Sequence, residues 1–242
     1  MRKWLSTQRQ DFRRKLLPFD RVTDFSKLRR LTPYRPAFGW HRGKCIDRYY
    51  VEKFLQENRD AIRGSVLEVC NNEYTKRFGG KQFAKSDVLD LNENNPARTI
   101  TADLSHCDAI GDTTFDCIIC TQTLLLIYNF TAAVHELYRI LRPGGVVLVT
   151  IPGISQICPT NMIGAGADYW RFTRHSARRM FAERFGSENT QVVTYGNVLA
   201  AVAFLHGLVV PELTAEELDY HDPDYELTVA VRARKSVTVA NE

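Results

Sequence analysis

The sequence predicts an α/β fold, in which a mostly parallel sheet carries helices on both faces. Two apolar runs, at 117–120 and 146–151, are near-continuous rather than alternating, which is typical of strands covered on both faces. A helix-length segment joins them and ends at Leu141, and Pro143-Gly144-Gly145 then indicates a turn. Strand, helix, turn and strand in this order form one unit of a parallel sheet.

The other elements follow from apolar spacing and from the positions of glycine and proline. Apolar residues at helical spacing predict a helix over 46–58, before Gly64 and a first strand at 65–70. Only eight residues separate Asp90 from the alternating segment 99–103, so we expect a third strand that is short or irregular. The remaining predicted helices cover 73–78, 176–185, 198–208 and 215–220, and the remaining strands cover 83–91, 191–195 and 226–234.

Composition excludes several classes of protein. A chain of 242 residues with 44% hydrophobic residues can bury a sizeable core, and no apolar stretch is long enough to cross a bilayer. The N-terminus carries charges where a signal peptide has its apolar run, so we expect a cytoplasmic protein. Six cysteines in a chain of this length do not indicate a disulfide framework. Cys117 and Cys120 are expected in the core on opposite faces of one strand, rather than in a redox or zinc site.

Positive charge is concentrated at the N-terminus. Residues 1–35 hold 11 Lys and Arg against 3 Asp and Glu, whereas the other 207 residues hold 21 against 25. Apolar residues such as Trp4 and Phe12 are interleaved with these charges, as in a basic amphipathic helix that lies on an anionic membrane or a nucleic acid. The alternative is a solvated helix that packs its apolar side on the domain. We therefore divide the chain into a basic arm, 1–37, and a single domain, 38–242.

Two motifs resemble those of the S-adenosylmethionine-dependent methyltransferases with a Rossmann-like fold. The strand Phe115-Asp116-Cys117-Ile118-Ile119 and, some twenty residues later, Leu141-Arg142-Pro143-Gly144-Gly145 are typical of that superfamily. The resemblance covers roughly 38–235 and is greatest to bacterial small-molecule and glycan methyltransferases of the type 11 kind. Four further segments carry it: Ile46-Asp47-Arg48-Tyr49-Tyr50, Gly153-Ile154-Ser155-Gln156, Asp168-Tyr169-Trp170-Arg171-Phe172-Thr173 and Tyr195-Gly196-Asn197.

This resemblance implies S-adenosylmethionine as cofactor and an antiparallel last strand. By resemblance, Glu68 ends the first strand near the amino-acid part of the cofactor, and Asp90 binds the ribose. Asp103 and Leu104 border the adenine in the same way. Ligands of such sheets bind at the carboxyl ends of the strands, which adds Thr121 and Gln122 to the cofactor site. The helices expected at 198–220 depart from the tight hairpin that the family usually has before its last strand.

The first loop departs from the family in a second way, because it contains no glycine. Its sequence is Glu68-Val69-Cys70-Asn71-Asn72, and Cys70 stands where the similar bacterial enzymes keep a glycine. Asn71 or Asn72 can adopt a positive φ and could make the turn, which leaves the Cys70 Cβ as the steric problem. We place Cys70 and Asn72 in the cofactor site.

Methyl transfer from a sulfonium is an in-line displacement, so the protein supplies alignment and, for a hydroxyl acceptor, a base. We predict no metal, and the candidate bases are Tyr169, His41 and Asp168. Trp170 could stack on a sugar or aromatic ring, and Arg171 could hold a phosphate or carboxylate. Each of these residues could instead have a structural role.

The expected function is methyl transfer to a small molecule or glycan, at oxygen. The alternative is a repurposed member of the superfamily that catalyses another reaction or only binds a ligand. Two departures from the family indicate it: Cys70, and the segment Gly164-Ala165-Gly166-Ala167, near which similar enzymes have Trp-Gly. A nucleic-acid substrate is not expected, because no RNA-binding module and no base-methylating motif at 121–124 are recognisable. A peripheral membrane contact through the basic arm stays open, and the sequence predicts no oligomeric state.

Overall fold

The computed structural model describes residues 30–159 and 167–237. Contacts within the chain divide it into two units, Met1–Pro33 and Tyr34–Glu242. The basic arm predicted over 1–37 lies mostly outside the described residues, as do Gly164, Ala165 and Gly166. None of the described helices is both long and apolar enough to span a membrane.

The predicted order of elements is confirmed with shifts of a few residues. The helices are α1 Ile46–Glu57, α2 Glu73–Gly79, α3 Phe130–Ile140, α4 Arg174–Phe185, α5 Val198–Leu205 and α6 Ala215–Asp219. The strands are β1 Gly64–Val69, β2 Phe83–Leu89, β3 Phe115–Thr121, β4 Leu141–Pro152, β5 Thr190–Tyr195 and β6 Thr228–Arg234. Short 3₁₀ helices cover Ala37–Arg42, Arg59–Ala61, Leu124–Leu126, Ser187–Asn189 and Val210–Glu212.

One six-stranded sheet organises the domain, in the order β2-β1-β3-β4-β6-β5. The first four of these strands are parallel to one another, and β6 runs antiparallel to both β4 and β5. This confirms the mostly parallel Rossmann-like sheet with an antiparallel last strand. The carboxyl ends of β1, β3 and β4 therefore meet at one edge, where such folds bind their ligands.

Both faces of the sheet are covered, as the near-continuous apolar strands predict. Ile118 and Cys120 pack in one core with α3 and α4. Cys117 and Ile119 pack in the other core with α1 and α5. The prediction that Cys117 and Cys120 lie in the core on opposite faces is thus confirmed.

The structure decides three local predictions, for the turn at 143–145, the helix before it and the third strand. The segment 143–145 is not a free turn but part of β4, because Gly144 N donates to Lys235 O at 2.8 Å and Lys235 N donates to Gly145 O at 2.9 Å. The helix-length segment before it breaks into a 3₁₀ turn and α3, where the Asn129 side chain accepts a hydrogen bond from Ala132 N. The expected weak third strand is a single bridge between Leu89 and Ile100.

The insertion before β6 is helical, as predicted, and it packs on α1. Tyr50 Oη donates to Leu218 O at 2.9 Å, and Lys53 Nζ lies 2.6 Å from Asp219 Oδ1. At its start, the Asn197 side chain caps α5 by accepting from Ala200 N. The first two contacts hold α6 on α1, and Phe204 of α5 lines a cavity at the carboxyl ends of the strands.

Candidate active site

A cavity of about 590 Å³ opens at the carboxyl ends of β1, β3 and β4. Its size lies within the range that small-molecule and cofactor sites occupy. Strand ends, the turns after them, α1, α5 and the start of β6 all contribute lining residues. The lining includes charged, polar and aromatic residues, among them Phe38, Trp40, Asp47, Arg48, Glu68, Cys70, Tyr74, Thr121, Gln122, Asp168, Phe204 and Thr228.

Glu68 organises the turn after β1. Its carboxylate is buried, with 2% of the residue exposed, and accepts from Tyr74 N at 3.2 Å, Thr75 N at 2.8 Å and Thr75 Oγ1 at 2.7 Å. These donors lie in the first turn of α2, so the carboxylate fixes that helix against the end of β1. Burial raises the pKa of Glu68, and the donors from Thr75 oppose that shift.

Cys70 takes the conformation that a glycine would favour. Its φ is +73°, in the left-handed region, whereas Asn72 has a φ of −125° and Asn71 is not among the residues with positive φ. The expectation that Asn71 or Asn72 makes the turn is therefore wrong. The turn falls at Cys70 because Asn71 is used otherwise: its Oδ1 accepts from Glu73 N at the start of α2, at 3.0 Å.

Asp90 follows β2 and is linked to the same turn. Its Oδ1 accepts from Asn92 N at 2.9 Å, and its Oδ2 accepts from Asn95 Nδ2 at 2.5 Å. Asn95 Nδ2 also lies 2.6 Å from the Cys70 carbonyl oxygen. Asp90 is not among the cavity-lining residues, but Asn95 joins it to one of them. Asn95 is not predicted from the sequence, where the Asn-rich run 92–95 is the only signal for it.

Thr121 and Gln122 line the cavity after β3, as predicted for a strand end. Gln122 has a φ of +48°, and its amide N donates to Thr150 O at 2.7 Å. Its side-chain Nε2 is buried and has no hydrogen-bond partner among the described residues. A buried amide donor without a partner costs free energy in the protein alone, so this atom is suited to a ligand acceptor.

Asp47 and Arg48 reach the cavity from the first turn of α1, and the sequence analysis gave neither a role. Asp47 Oδ2 lies 4.0 Å from Arg48 Nε, and Asp47 Oδ1 is buried without a partner in the described part of the chain. Burial raises the pKa of Asp47, which Arg48 only partly offsets. Arg48 Nη1 donates to Tyr74 Oη at 3.3 Å and so joins α1 to α2.

Asp168 lines the cavity, but its carboxylate is already engaged. Arg171 binds both of its oxygens, at 2.5 and 2.9 Å, and Cys158 N donates to it at 2.8 Å. Burial alone would raise the pKa of Asp168, yet these donors outweigh it and hold the pKa below its usual value. Arg171 also donates to the Gln156 carbonyl at 2.5 Å, so it fixes the loop after β4.

The remaining predicted residues are not among those that line the cavity. Tyr169 is 48% exposed next to Asp168, and Trp170 Nε1 donates to Ile127 O at 3.1 Å. Leu104 is buried in the core, and the Asp103 carboxylate accepts from Ser105 N. Asn72 precedes α2, and His41 is exposed beside Trp40, which itself lines the cavity. Over 30–159 and 167–237, no group of three His, Cys, Asp or Glu side chains is arranged to hold a metal ion.

Comparison with known proteins finds one matching domain and several similar folds. A family model described as a methyltransferase domain matches residues 61–149. No curated protein matches the chain significantly. The fold is similar to that of an S-adenosylmethionine-dependent methyltransferase from Archaeoglobus fulgidus, with a TM-score of 0.53 and 11% identity over 80% of this chain and 96% of that one. A second such methyltransferase, from Mesorhizobium loti, gives a TM-score of 0.51 and 14% identity over 78% of this chain and 98% of that one.

Proposed function

We propose that this chain, whose residues 61–149 match a methyltransferase domain, uses S-adenosylmethionine to methylate a small-molecule or glycan acceptor at an oxygen atom. The observation that carries the proposal is the position of the cavity. The cavity lies where β1 and β3 end, and both of these strand ends belong to the matched segment. Other lining residues come from parts of the chain before and after that segment. One cavity can therefore hold a cofactor on one side and an acceptor on the other.

The residues at the strand ends fit S-adenosylmethionine. This cofactor carries carboxylate, ribose and adenine groups that accept hydrogen bonds, and the buried Gln122 Nε2 offers a donor that no described residue uses. Asp90 would accept from the ribose hydroxyls, and Glu68 keeps the turn at Cys70 in place through α2. When bound, the cofactor supplies a methyl group on a cationic sulfur, which an acceptor oxygen displaces in line.

Aromatic side chains favour a ring-shaped acceptor. Phe38, Trp40 and Phe204 line the cavity and lie outside the matched segment, and Trp40 is 60% exposed. Such rings can stack on the apolar face of a sugar or on an aromatic acceptor. Of the three bases predicted from sequence, Asp168 lines the cavity, but its lowered pKa makes it a weak proton acceptor. Tyr169 and His41 stay predictions.

Calorimetric titration with S-adenosylhomocysteine, the demethylated cofactor, tests the proposal. We expect the wild-type protein to bind it, and Cys70→Gly to bind it equally or more tightly because the Cβ is removed from the turn. Stability should stay the same or rise by up to about 1.5 kcal/mol, because relief of the left-handed conformation, roughly 1–2 kcal/mol, offsets the entropy cost of glycine, about 0.5–1 kcal/mol.

The same titration decides between methyl transfer and a repurposed fold. The left-handed Cys70 is the observation that favours the second function, since its side chain stands where the family keeps glycine. If the fold is repurposed, the wild-type protein should not bind S-adenosylhomocysteine, and Cys70→Gly should restore some affinity for it. If neither protein bound S-adenosylhomocysteine, the proposal of methyl transfer would be abandoned.

We further propose that the basic arm makes a peripheral contact with anionic membrane on the cytoplasmic side. Exchanging Arg13, Arg14 and Lys15 for Gln should weaken binding to phosphatidylserine vesicles at low salt, because each basic residue contributes about 1 kcal/mol near such a surface. Co-sedimentation over a salt series measures this. If the unmodified chain does not bind the vesicles at low salt, the arm instead packs its apolar side on the domain.

A further inference from the structure

Two buried side-chain oxygen atoms without hydrogen-bond partners among the described residues belong to cavity-lining residues outside the matched domain. They are Asp47 Oδ1 on α1 and Thr228 Oγ1 at the start of β6. Neither has a hydrogen-bond partner within the described ranges, and such groups are costly unless a ligand satisfies them. Because the two come from separate elements, their convergence on one cavity is not a local feature of a single turn.

The position of Asp47 indicates that the acceptor, rather than the cofactor, is its ligand. The matched segment, 61–149, contains the strand ends that fit the cofactor. Asp47 precedes this segment, as do Phe38 and Trp40, and Thr228 follows it. In addition, the Arg48 guanidinium is 4.0 Å from Asp47 Oδ2, which disfavours a second cation, such as the cofactor's ammonium, at the same carboxylate.

We propose that Asp47 binds the acceptor hydroxyl and takes its proton during methyl transfer. This inference rests on the proposed function. The hydroxyl oxygen gains the methyl group as the bond from carbon to sulfur breaks and its electron pair stays on sulfur. The hydroxyl proton passes to Asp47 Oδ1 and from there to solvent. Thr228 Oγ1 binds a second polar group of the acceptor and so orients the reacting hydroxyl.

Several charged or titratable groups surround Asp47 and interact with it electrostatically. Arg48 adjoins it on α1, and Cys45 immediately precedes that helix. Tyr74 faces it from α2, and Cys158 faces it from the loop after β4. Arg48 is the only cation among them, and burial raises the pKa of Asp47 in spite of it. A carboxylate in this environment is a better proton acceptor than the Arg171-bound Asp168.

The test compares wild type with Asp47→Asn, and Asp108→Asn serves as control because the Asp108 side chain is 83% exposed. Calorimetry measures affinity for S-adenosylhomocysteine. A label on the methyl group of S-adenosylmethionine measures transfer into a deproteinised small-molecule extract of bacterial cells, from about pH 5 to about pH 9. Thermal melting confirms that each variant is folded. Asp47→Ala provides a second substitution should the amide variant not fold.

We expect Asp47→Asn to keep its affinity for S-adenosylhomocysteine within about twofold and to lose transfer by about 100-fold or more. The wild-type rate should rise with pH through one ionisation that the variant lacks. Asp108→Asn should match wild type. A loss of affinity of about tenfold in Asp47→Asn would make Asp47 a cofactor ligand, and retained transfer would remove it from the chemistry. Absence of binding or of transfer in wild type would instead overturn the proposed function, and this inference with it.

Discussion

Replacement of Asp90 with alanine is expected to weaken cofactor binding by about 2–4 kcal/mol, or roughly 30- to 1,000-fold. The proposed ribose contact consists of two charge-assisted hydrogen bonds to one carboxylate, and alanine removes both. The fold should remain intact, because Asp90 follows β2 rather than lying in the core, and its contacts are with neighbouring Asn92 and Asn95. Calorimetric titration with S-adenosylhomocysteine measures the change.

Asn95→Ala is the matched control for this prediction. It removes the amide that joins the Asp90 carboxylate to the Cys70 carbonyl, yet it leaves the carboxylate in place. If Asn95→Ala weakens binding as much as Asp90→Ala, the effect comes from order in the turn rather than from the ribose contact. Unchanged affinity in a folded Asp90→Ala protein would remove Asp90 from the site.

The sheet could be predicted from sequence because its signal is local. Burial on both faces demands near-continuous apolar residues, and the runs at 117–120 and 146–151 supply them. The segment 143–145 shows where local reasoning fails. Proline and glycine favour a turn there, but Gly144 and Gly145 pair with Lys235, some ninety residues away in the chain. A partner at that distance leaves no mark on the local pattern.

The candidate site could be predicted in part, by residue type at strand ends. Thr121 and Gln122 are predicted for the site because parallel strands end at one edge, and both line the cavity. Asp47 could not be found in this way. An acidic residue in the first turn of a helix ordinarily indicates a favourable interaction with the helix dipole. Only the tertiary structure shows that its Oδ1 is buried without a partner among the described residues.

The turn after β1 could not be predicted fully from sequence. The sequence shows that this turn has no glycine, but it does not show which residue adopts the left-handed conformation. Two asparagines follow Cys70, and asparagine tolerates a positive φ better than other non-glycine residues. The structure nevertheless places the left-handed conformation at Cys70, while Asn71 binds the backbone at the start of α2. The choice depends on how α2 is held against β1, which is the role of Glu68.

Replacement of Glu68 with alanine is expected to have the largest effect on stability, a loss of about 3–5 kcal/mol in the free energy of unfolding. The buried carboxylate accepts hydrogen bonds from Tyr74 N, Thr75 N and Thr75 Oγ1. Alanine removes this acceptor, so all three donors lose their partner. Two of these donors are backbone groups in the first turn of α2, which α2 itself does not satisfy. Urea denaturation followed by circular dichroism measures the change.

Glu68→Gln is the matched control, because it keeps the shape and one acceptor oxygen but removes the charge. It should cost roughly half as much as alanine, since the remaining oxygen can serve Thr75 while the amide group faces Tyr74 N. Because α2 sets the turn at Cys70, both variants should also weaken binding of S-adenosylhomocysteine, in the same order. A Glu68→Ala protein with wild-type stability would show that water from the adjoining cavity satisfies the three donors, and that the carboxylate is held there for a ligand instead of for the helix.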